Sequence, residues 1–333
     1  MTGKTLKRIK NKIIEYFYEF LEKFIDVFVT YHGRPKQSHD VIVKNSYSLS
    51  LDSLQTGIVI QGPLILEDNF TIETIKLYKK IFPIIPIILS TWSDEDASTL
   101  DAIEELNIEV IKNEKPLIAG ISNINLQIAS SSAGISHARQ LGCQYVLKTR
   151  TDQRIYSAQA IHFCYFALKT FPLINNNGQR ERIVAFNLNT FLYRPYSISD
   201  MLNFGHIEDM EKYWCVEFDL RQLQSLPHTN TFLGWSKQKI AEVHFVVSFL
   251  KNFDEEIDWS LEGSWKVISE RFCILNTHDI DLYWKKYSHK EFRHESYTSS
   301  KFRQINFADW LLFQYGIPEN IPEDLALAPG DFQ

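Results

Sequence analysis

The densest run of residues able to do chemistry is Lys148-Thr149-Arg150-Thr151-Asp152-Gln153-Arg154, at the end of the apolar stretch 144–149. Side chains of an extended segment alternate between faces, so Lys148, Arg150 and Asp152 are expected on one side. Cations and a carboxylate gathered at a strand end can grip a diphosphate and its metal. The same spacing also suits a surface ion-pair ladder of slight energy. Ready-made fingerprints are missing. Neither G-x-G-x-x-G nor G-x-x-x-x-G-K-[ST] occurs, which disfavours NAD enzymes and P-loop ATPases. G-x-S-x-G and H-E-x-x-H are absent too, removing the simplest hydrolase and zinc-protease readings. No two histidines have ligand spacing on one helix, and the four cysteines, Cys143, Cys164, Cys215 and Cys273, form no C-x-x-C pair.

The elements that must position this run read as alternating strands and helices. Short β-branched stretches at 57–61, 84–90, 108–112 and 144–149 are separated by helical patterns at 69–80, 94–106 and 122–141. That alternation predicts an α/β fold, a Rossmann-like, mostly parallel central sheet with helices on both faces. Ligands of such sheets bind beyond the carboxyl ends of the strands. Those ends are Gln61-Gly62-Pro63, Ser90-Thr91-Trp92 and the run from Lys148. The C-terminal half is less regular. Helices are expected at 158–170, 197–204, 240–251 and 261–269, with strands at 182–188 and 271–275, among loops rich in His, Trp and Tyr. After Ile317 the chain is acidic and Pro-rich, which suits a surface strap or a disordered end.

With 333 residues, 44% apolar and 23% charged, the chain has ample material for a core and needs no disulfides. A reducing cytoplasm is the expected compartment. Residues 1–37 carry eight Lys and Arg against four acids, so a segment of +4 precedes a body of −10. An acidic body argues against nucleic acid as a partner. Leu6, Ile9, Ile13, Phe17, Phe20, Phe24 and Phe28 recur at helical spacing, so residues 1–30 read as an amphipathic helix and 31–55 as a polar linker. The helix suits packing on a protein surface or lying on an anionic cytoplasmic leaflet. No apolar run reaches the length of a membrane span.

Three blocks of residues together resemble a known family. They are Ile58-Val59-Ile60-Gln61-Gly62-Pro63 with Phe70-Thr71-Ile72-Glu73 and Ile88-Leu89-Ser90-Thr91-Trp92; Asn125-Leu126-Gln127 with Tyr145 through Arg154; and Arg194-Pro195-Tyr196, Asp200-Met201 and Phe204-Gly205. Over about residues 56–290 the chain is similar to the WavE-type lipopolysaccharide-synthesis proteins. The resemblance implies a GT-A-like domain at 56–290, with a nucleotide-sugar half (56–156) and an acceptor half (157–290), followed by a tail at 291–333. It implies a bacterial glycosyltransferase using a nucleotide-sugar donor and a lipid-linked or oligosaccharide acceptor of lipopolysaccharide core, O-antigen or capsule. GT-A enzymes hold a divalent cation, Mn or Mg, on a D-x-D motif. Here Thr151-Asp152-Gln153 offers a single acid. Either Asp152 still carries the cation, with His278 as a second ligand, or Lys148, Arg150 and Arg154 neutralise the diphosphate themselves.

Glycosyl transfer must deprotonate an acceptor hydroxyl while stabilising a departing diphosphate. Asp152, Arg150, Arg154, Lys148 and Lys286 are the expected diphosphate contacts. Gln61, Gly62, Pro63, Ser90, Thr91 and Trp92 are expected around base and ribose, where Trp92 either stacks on a ring or packs in the core. Glu242, heading the helix at 240–251, is the expected base, with Asp200 and Asp209 as alternatives; each also has a bland role as a helix-start or cap residue. Two other readings share the features. A sugar-phosphate or nucleotidyl transferase would use the same cluster, and a non-catalytic glycan-binding scaffold would have lost the second acid.

Overall fold

The computed structural model describes residues 3–25, 32–43, 55–175, 178–222, 226–286, 303–318 and 327. The chain divides into two compact units, residues 1–36 and 37–333. The first contains helix α1 (Gly3–Ile25). No helix among the described residues is long and apolar enough to cross a membrane.

The second unit is built on a seven-stranded sheet. Its strands are β1 (Thr56–Gln61), β2 (Ile87–Trp92), β3 (Glu109–Asn113), β4 (Tyr145–Arg150), β6 (Ile183–Phe186), β7 (Asn203–His206) and β8 (Phe272–Leu275), in spatial order β3-β2-β1-β4-β7-β6-β8. A second sheet pairs β5 (Gln153–Ile155) with β9 (Leu282–Trp284). β1, β2 and β4 are buried along nearly their whole length, which is why they read as unbroken apolar runs. Helices α2 (Phe70–Ile81), α3 (Ala97–Glu104) and α4 (Ile124–Gln140) make the crossovers of the parallel half, as the alternation predicts. Helix α4 lies tight on the sheet because Gly134 faces Val59 and Ser90; a Cβ there would come within 2.4 Å of the valine side chain. Of the polar segment 31–55, residues 37–43 pack on α2. There Ser38 donates both its N–H and its hydroxyl to the Glu73 carboxylate, each at 2.7 Å.

The helices α5 (Ala160–Thr170), α6 (Ile207–Trp214), α7 (Phe232–Lys237), α8 (Glu242–Lys251), α9 (Leu261–Arg271) and α10 (Phe307–Tyr315) complete the described elements. The helix expected at 197–204 does not form. Tyr196 turns the chain with φ +60°, Thr190 Oγ1 accepts the Ser199 N–H at 3.0 Å, and Asn203–His206 enters the sheet antiparallel to β4. Within the expected tail 291–333 helix α10 forms, its Asn306 in a capping box with Asp309 and its Trp310 fully buried. The strap expected after Ile317 lies almost wholly outside the described residues.

One consequence of this topology places the site. Because β7 is antiparallel to both β4 and β6, while β6 is parallel to β8, the carboxyl ends of β1, β2, β3, β4, β6 and β8 share one edge. The loop 187–202, between β6 and β7, begins and ends at that edge.

Candidate active site

At the carboxyl end of β4 the chain turns sharply, and Asp152 is held from three directions. Arg150 Nε and Nη2 donate to its two oxygens, each at 2.9 Å, and Trp284 Nε1 donates at 3.1 Å. The Lys285 N–H closes on the Asp152 carbonyl at 2.8 Å, so the end of β9 is clamped to this turn. Burial works against the Asp152 charge, yet the Arg150 fork, the Trp284 N–H and Lys286 hold its carboxyl below the usual range. Gly62, with φ +118°, brings the end of β1 against this turn; a Cβ would sit 3.0 Å from Thr151 Oγ1. Pro63 and Lys286 are exposed beside it, and Lys285 reaches Glu67 and Asp68 at 3.0 Å each.

The neighbouring strand ends carry polar side chains that bond one another; Gln61, Ser90, Thr91 and Ser130 are themselves buried, so they brace these ends rather than standing open to a ligand as expected. Ser130, on α4, donates to the Gln61 side chain at 2.8 Å; Thr91 Oγ1 donates to the Gly62 carbonyl at 2.9 Å; Asn113 Nδ2 donates to Ser90 Oγ at 2.9 Å and to the Thr91 carbonyl at 2.8 Å. Trp92 is buried, as core packing requires, and presents no open ring for stacking.

A second cluster gathers on the same edge from loop 187–202. Glu242 heads α8 and accepts from the Ser197 hydroxyl and from Arg194 Nη1 at 3.4 Å. The Arg194 guanidinium lies over Phe191 at 4.3 Å and Trp235 at 4.5 Å, rings that fix its plane. Burial pushes the Glu242 carboxyl up, and Asp200 adds to it, while Arg194 and Ser197 pull it back. The backbone before it is strained: Lys239 has φ +53°, and Ala241 has φ +49° with ψ −126°, a conformation natural to glycine. That strain is held in place by Arg221, which donates to the carbonyls of Gln238 and Lys239 and forks onto Asp219.

Lys148 links the two clusters, contrary to the expectation that it faces a diphosphate. It is fully buried, donates to the Asp200 carbonyl at 2.6 Å and sits 3.8 Å over the Trp214 ring. Burial depresses its pKa strongly and Arg150 adds to that, with Asp200 and Asp152 opposing. Around the acceptor-side cluster Asn203 Oδ1, Tyr213 Oη and Trp214 Nε1 are buried with no hydrogen-bond partner among the described residues, and the Tyr213 hydroxyl senses both Asp200 and Glu242. The Tyr213 and Trp214 rings pack against Phe245, and Tyr213 also against Phe249 and Phe272, so these two groups lie in the aromatic core.

Two expected residues lie elsewhere. Arg154 points into the core between β5 and α2, donating to Thr74 Oγ1 at 2.9 Å and to the Phe70 carbonyl at 2.8 Å, because β4 ends at Arg150 and the alternation does not continue through the turn. Asp209 sits near the start of β6, the opposite edge of the sheet, where it accepts the backbone N–H groups of Arg180 and Glu181 at 2.9 to 3.1 Å. His278, by contrast, is exposed on the short turn after the carboxyl end of β8, on the same edge of the sheet as the site. Both Asp152 oxygens are engaged by a guanidinium, and among the described residues no three His, Cys, Asp or Glu side chains converge. The residues present do not fit a protein-held metal ion, so no chemistry is derived through one. Nothing local in the sequence singles out Asn113, Ser130, Ser197 or Trp284 for the site, because their role rests on long-range pairing. Arg194 does carry a signal, since it lies in the family-like block Arg194-Pro195-Tyr196.

A search of the curated proteins finds no match for the chain. Among solved structures, a mannose-1-phosphate geranyltransferase from Thermus thermophilus is 14% identical over 40% of this chain and 41% of that one, with a TM-score of 0.26. A 4-diphosphocytidyl-2C-methyl-D-erythritol synthase from Anaerococcus prevotii is 11% identical over 59% of this chain and 98% of that one, at 0.34. A glycosyltransferase involved in glycosylating the major capsid protein of PBCV-1 is 14% identical over 47% of this chain and 64% of that one, at 0.27. Residues 56–315 match the family described as WavE lipopolysaccharide synthesis, and the chain belongs to that family.

Proposed function

We propose that this protein is a glycosyltransferase that moves a sugar from a nucleotide-sugar donor onto a lipid-linked or oligosaccharide acceptor of a bacterial surface glycan, at the cytoplasmic face of the membrane. The observation that carries the reading is the pairing, on one sheet edge, of a buried carboxyl with a raised pKa, Glu242, and the Arg150–Asp152 fork. Family membership supports it. In this reading Glu242 takes the proton of the acceptor hydroxyl as the acceptor oxygen bonds to the anomeric carbon. The bond from that carbon to the diphosphate oxygen breaks, and the electron pair leaves with the diphosphate. Arg150 and Lys286 supply the positive charge it meets. Asp152 keeps Arg150 in place, and the Ser130–Gln61 and Asn113–Ser90 hydrogen bonds brace the strand ends on the nucleotide side.

A thermal-shift screen against UDP, GDP, CMP and their sugar conjugates, each with and without Mn²⁺ or Mg²⁺, tests this. Ligand at about 100 times its dissociation constant adds ~2.7 kcal/mol, a shift of several degrees for a chain of this size. One nucleotide class shifting the midpoint, equally without metal, is the expected result. Absence of any shift, with intact far-UV circular dichroism, overturns the donor assignment.

A further inference from the structure

The N-terminal helix α1 carries an apolar face that the catalytic reading does not use. Ile13, Tyr16, Phe17, Phe20 and Phe24 are 62, 68, 55, 62 and 80% exposed. At about 100° per residue they fall within an arc of roughly 100°. Phe20 and Phe24 stack at 6.0 Å, so the face presents a continuous aromatic strip. Half-buried Ile14, Tyr18 and Leu21 border it on one side.

The charges are sorted around that strip. Glu15, Glu19 and Glu22 fall within an arc of roughly 60° on the far side of the helix. Lys12 and Lys23, both exposed, occupy the boundary between the acids and Tyr16. The first three turns add Lys4, Lys7, Arg8 and Lys10 with no acid among them. A helix lying in a membrane interface needs this order: rings at the acyl boundary, amines at the depth of the phosphates, and acids in water.

We propose that α1 docks in the plane of an anionic phospholipid surface, with Phe17, Phe20 and Phe24 inserted and Lys12 and Lys23 on the lipid phosphates. Charge complementarity selects the occupant. The acids lie away from the rings, their arc centred roughly 140° around the helix from that of the strip, where a bilayer leaves them hydrated, and the basic opening turns meet a negative surface. Such docking would hold the enzyme at the surface from which a lipid-linked acceptor is presented. The proposal does not depend on the transfer reading.

The test is co-sedimentation of the full chain with vesicles of phosphatidylglycerol and phosphatidylethanolamine, against phosphatidylcholine alone, at low and high salt. Wild type is expected to partition at least about tenfold better onto the anionic vesicles, with the preference fading in salt. Phe20→Glu, an exposed position that leaves the thermal midpoint and nucleotide binding unchanged, is expected to lose at least about tenfold. Lys12→Glu with Lys23→Glu is expected to abolish the lipid-charge preference. Equal partition of wild type and Phe20→Glu overturns the proposal. So does absence of vesicle binding alongside self-association, measured by sedimentation velocity, that Phe20→Glu abolishes; that result assigns the face to a second copy of the chain.

Discussion

Replacing Arg194 with methionine isolates what sets the basicity of Glu242. The guanidinium stands 3.4 Å from the carboxylate, both side chains only 12% exposed. At an effective dielectric of about 20, that separation corresponds to roughly 5 kcal/mol of attraction, an upper bound because water and Ser197 compensate when the cation goes. Even a third of it exceeds the ~1.4 kcal/mol that moves an ionisation by one unit. Burial already places the Glu242 carboxyl above its ordinary value, so removing Arg194 raises it further. The acid limb of the kcat–pH profile, read by release of nucleoside diphosphate, is therefore expected to move up by at least about one pH unit. Stability carries the same sign. An acid whose folded pKa exceeds its unfolded one destabilises the fold above the unfolded value, and the deficit grows until pH passes the folded value. Arg194→Met should thus lose stability relative to wild type at about pH 8 and regain part of it at about pH 5, measured by urea unfolding. A folded, active variant whose acid limb stays in place, or moves down, refutes the assignment of Glu242 as the base.

Other perturbations separate chemistry from scaffold. Asp152→Asn should cut turnover at least ~10²-fold by releasing Arg150, with nucleotide binding weakened in calorimetry. Arg154→Met should cost about 2–4 kcal/mol in denaturant unfolding, because the Thr74 hydroxyl and the Phe70 carbonyl each lose an Arg154 N–H and the packing of its guanidinium on Phe70 goes with them, while the folded fraction still binds nucleotide. Asp209→Ala should destabilise by a similar ~2–4 kcal/mol, since two backbone N–H groups lose their acceptor, with kcat unchanged. Gly62→Ala should lose more than ~1 kcal/mol and weaken nucleotide binding, given its φ of +118° and the crowding at Thr151.

Much of the architecture is legible in the sequence wherever the controlling interactions are local. Each parallel strand is a short β-branched run closed by Gly, Pro or a polar cluster, and each appears within a few residues of its expected place. Glu242 at the head of its helix follows from the same local reading. What misleads is the assumption that alternation continues through Lys148-Thr149-Arg150-Thr151-Asp152-Gln153-Arg154. The turn after Arg150 resets the phase, so Arg154 belongs to another sheet and faces inward. Lys148 does share the strand with Arg150, yet its amine turns to the Asp200 carbonyl, a partner 52 residues on that no local pattern announces. Residues 197–204 have Ser and Asp where a helix would start, but pairing of Asn203–His206 with β4 decides their conformation. Trp284 meets Asp152 across 132 residues, beyond any periodicity.

That last contact bears on when the protein becomes competent during synthesis. The strands β1 to β4 can pair as soon as they leave the ribosome, but β5 has no partner until β9 is made, and Asp152 waits for Trp284. At ~5–20 residues per second the gap of 132 residues lasts roughly 7–26 s. Throughout that interval the nascent domain carries an acid and an arginine at an unfinished rim. Assembly of the rim thus waits until β9 is made and pairs with β5, and residues 303–315, which close on Thr190, Leu192 and β8, follow it.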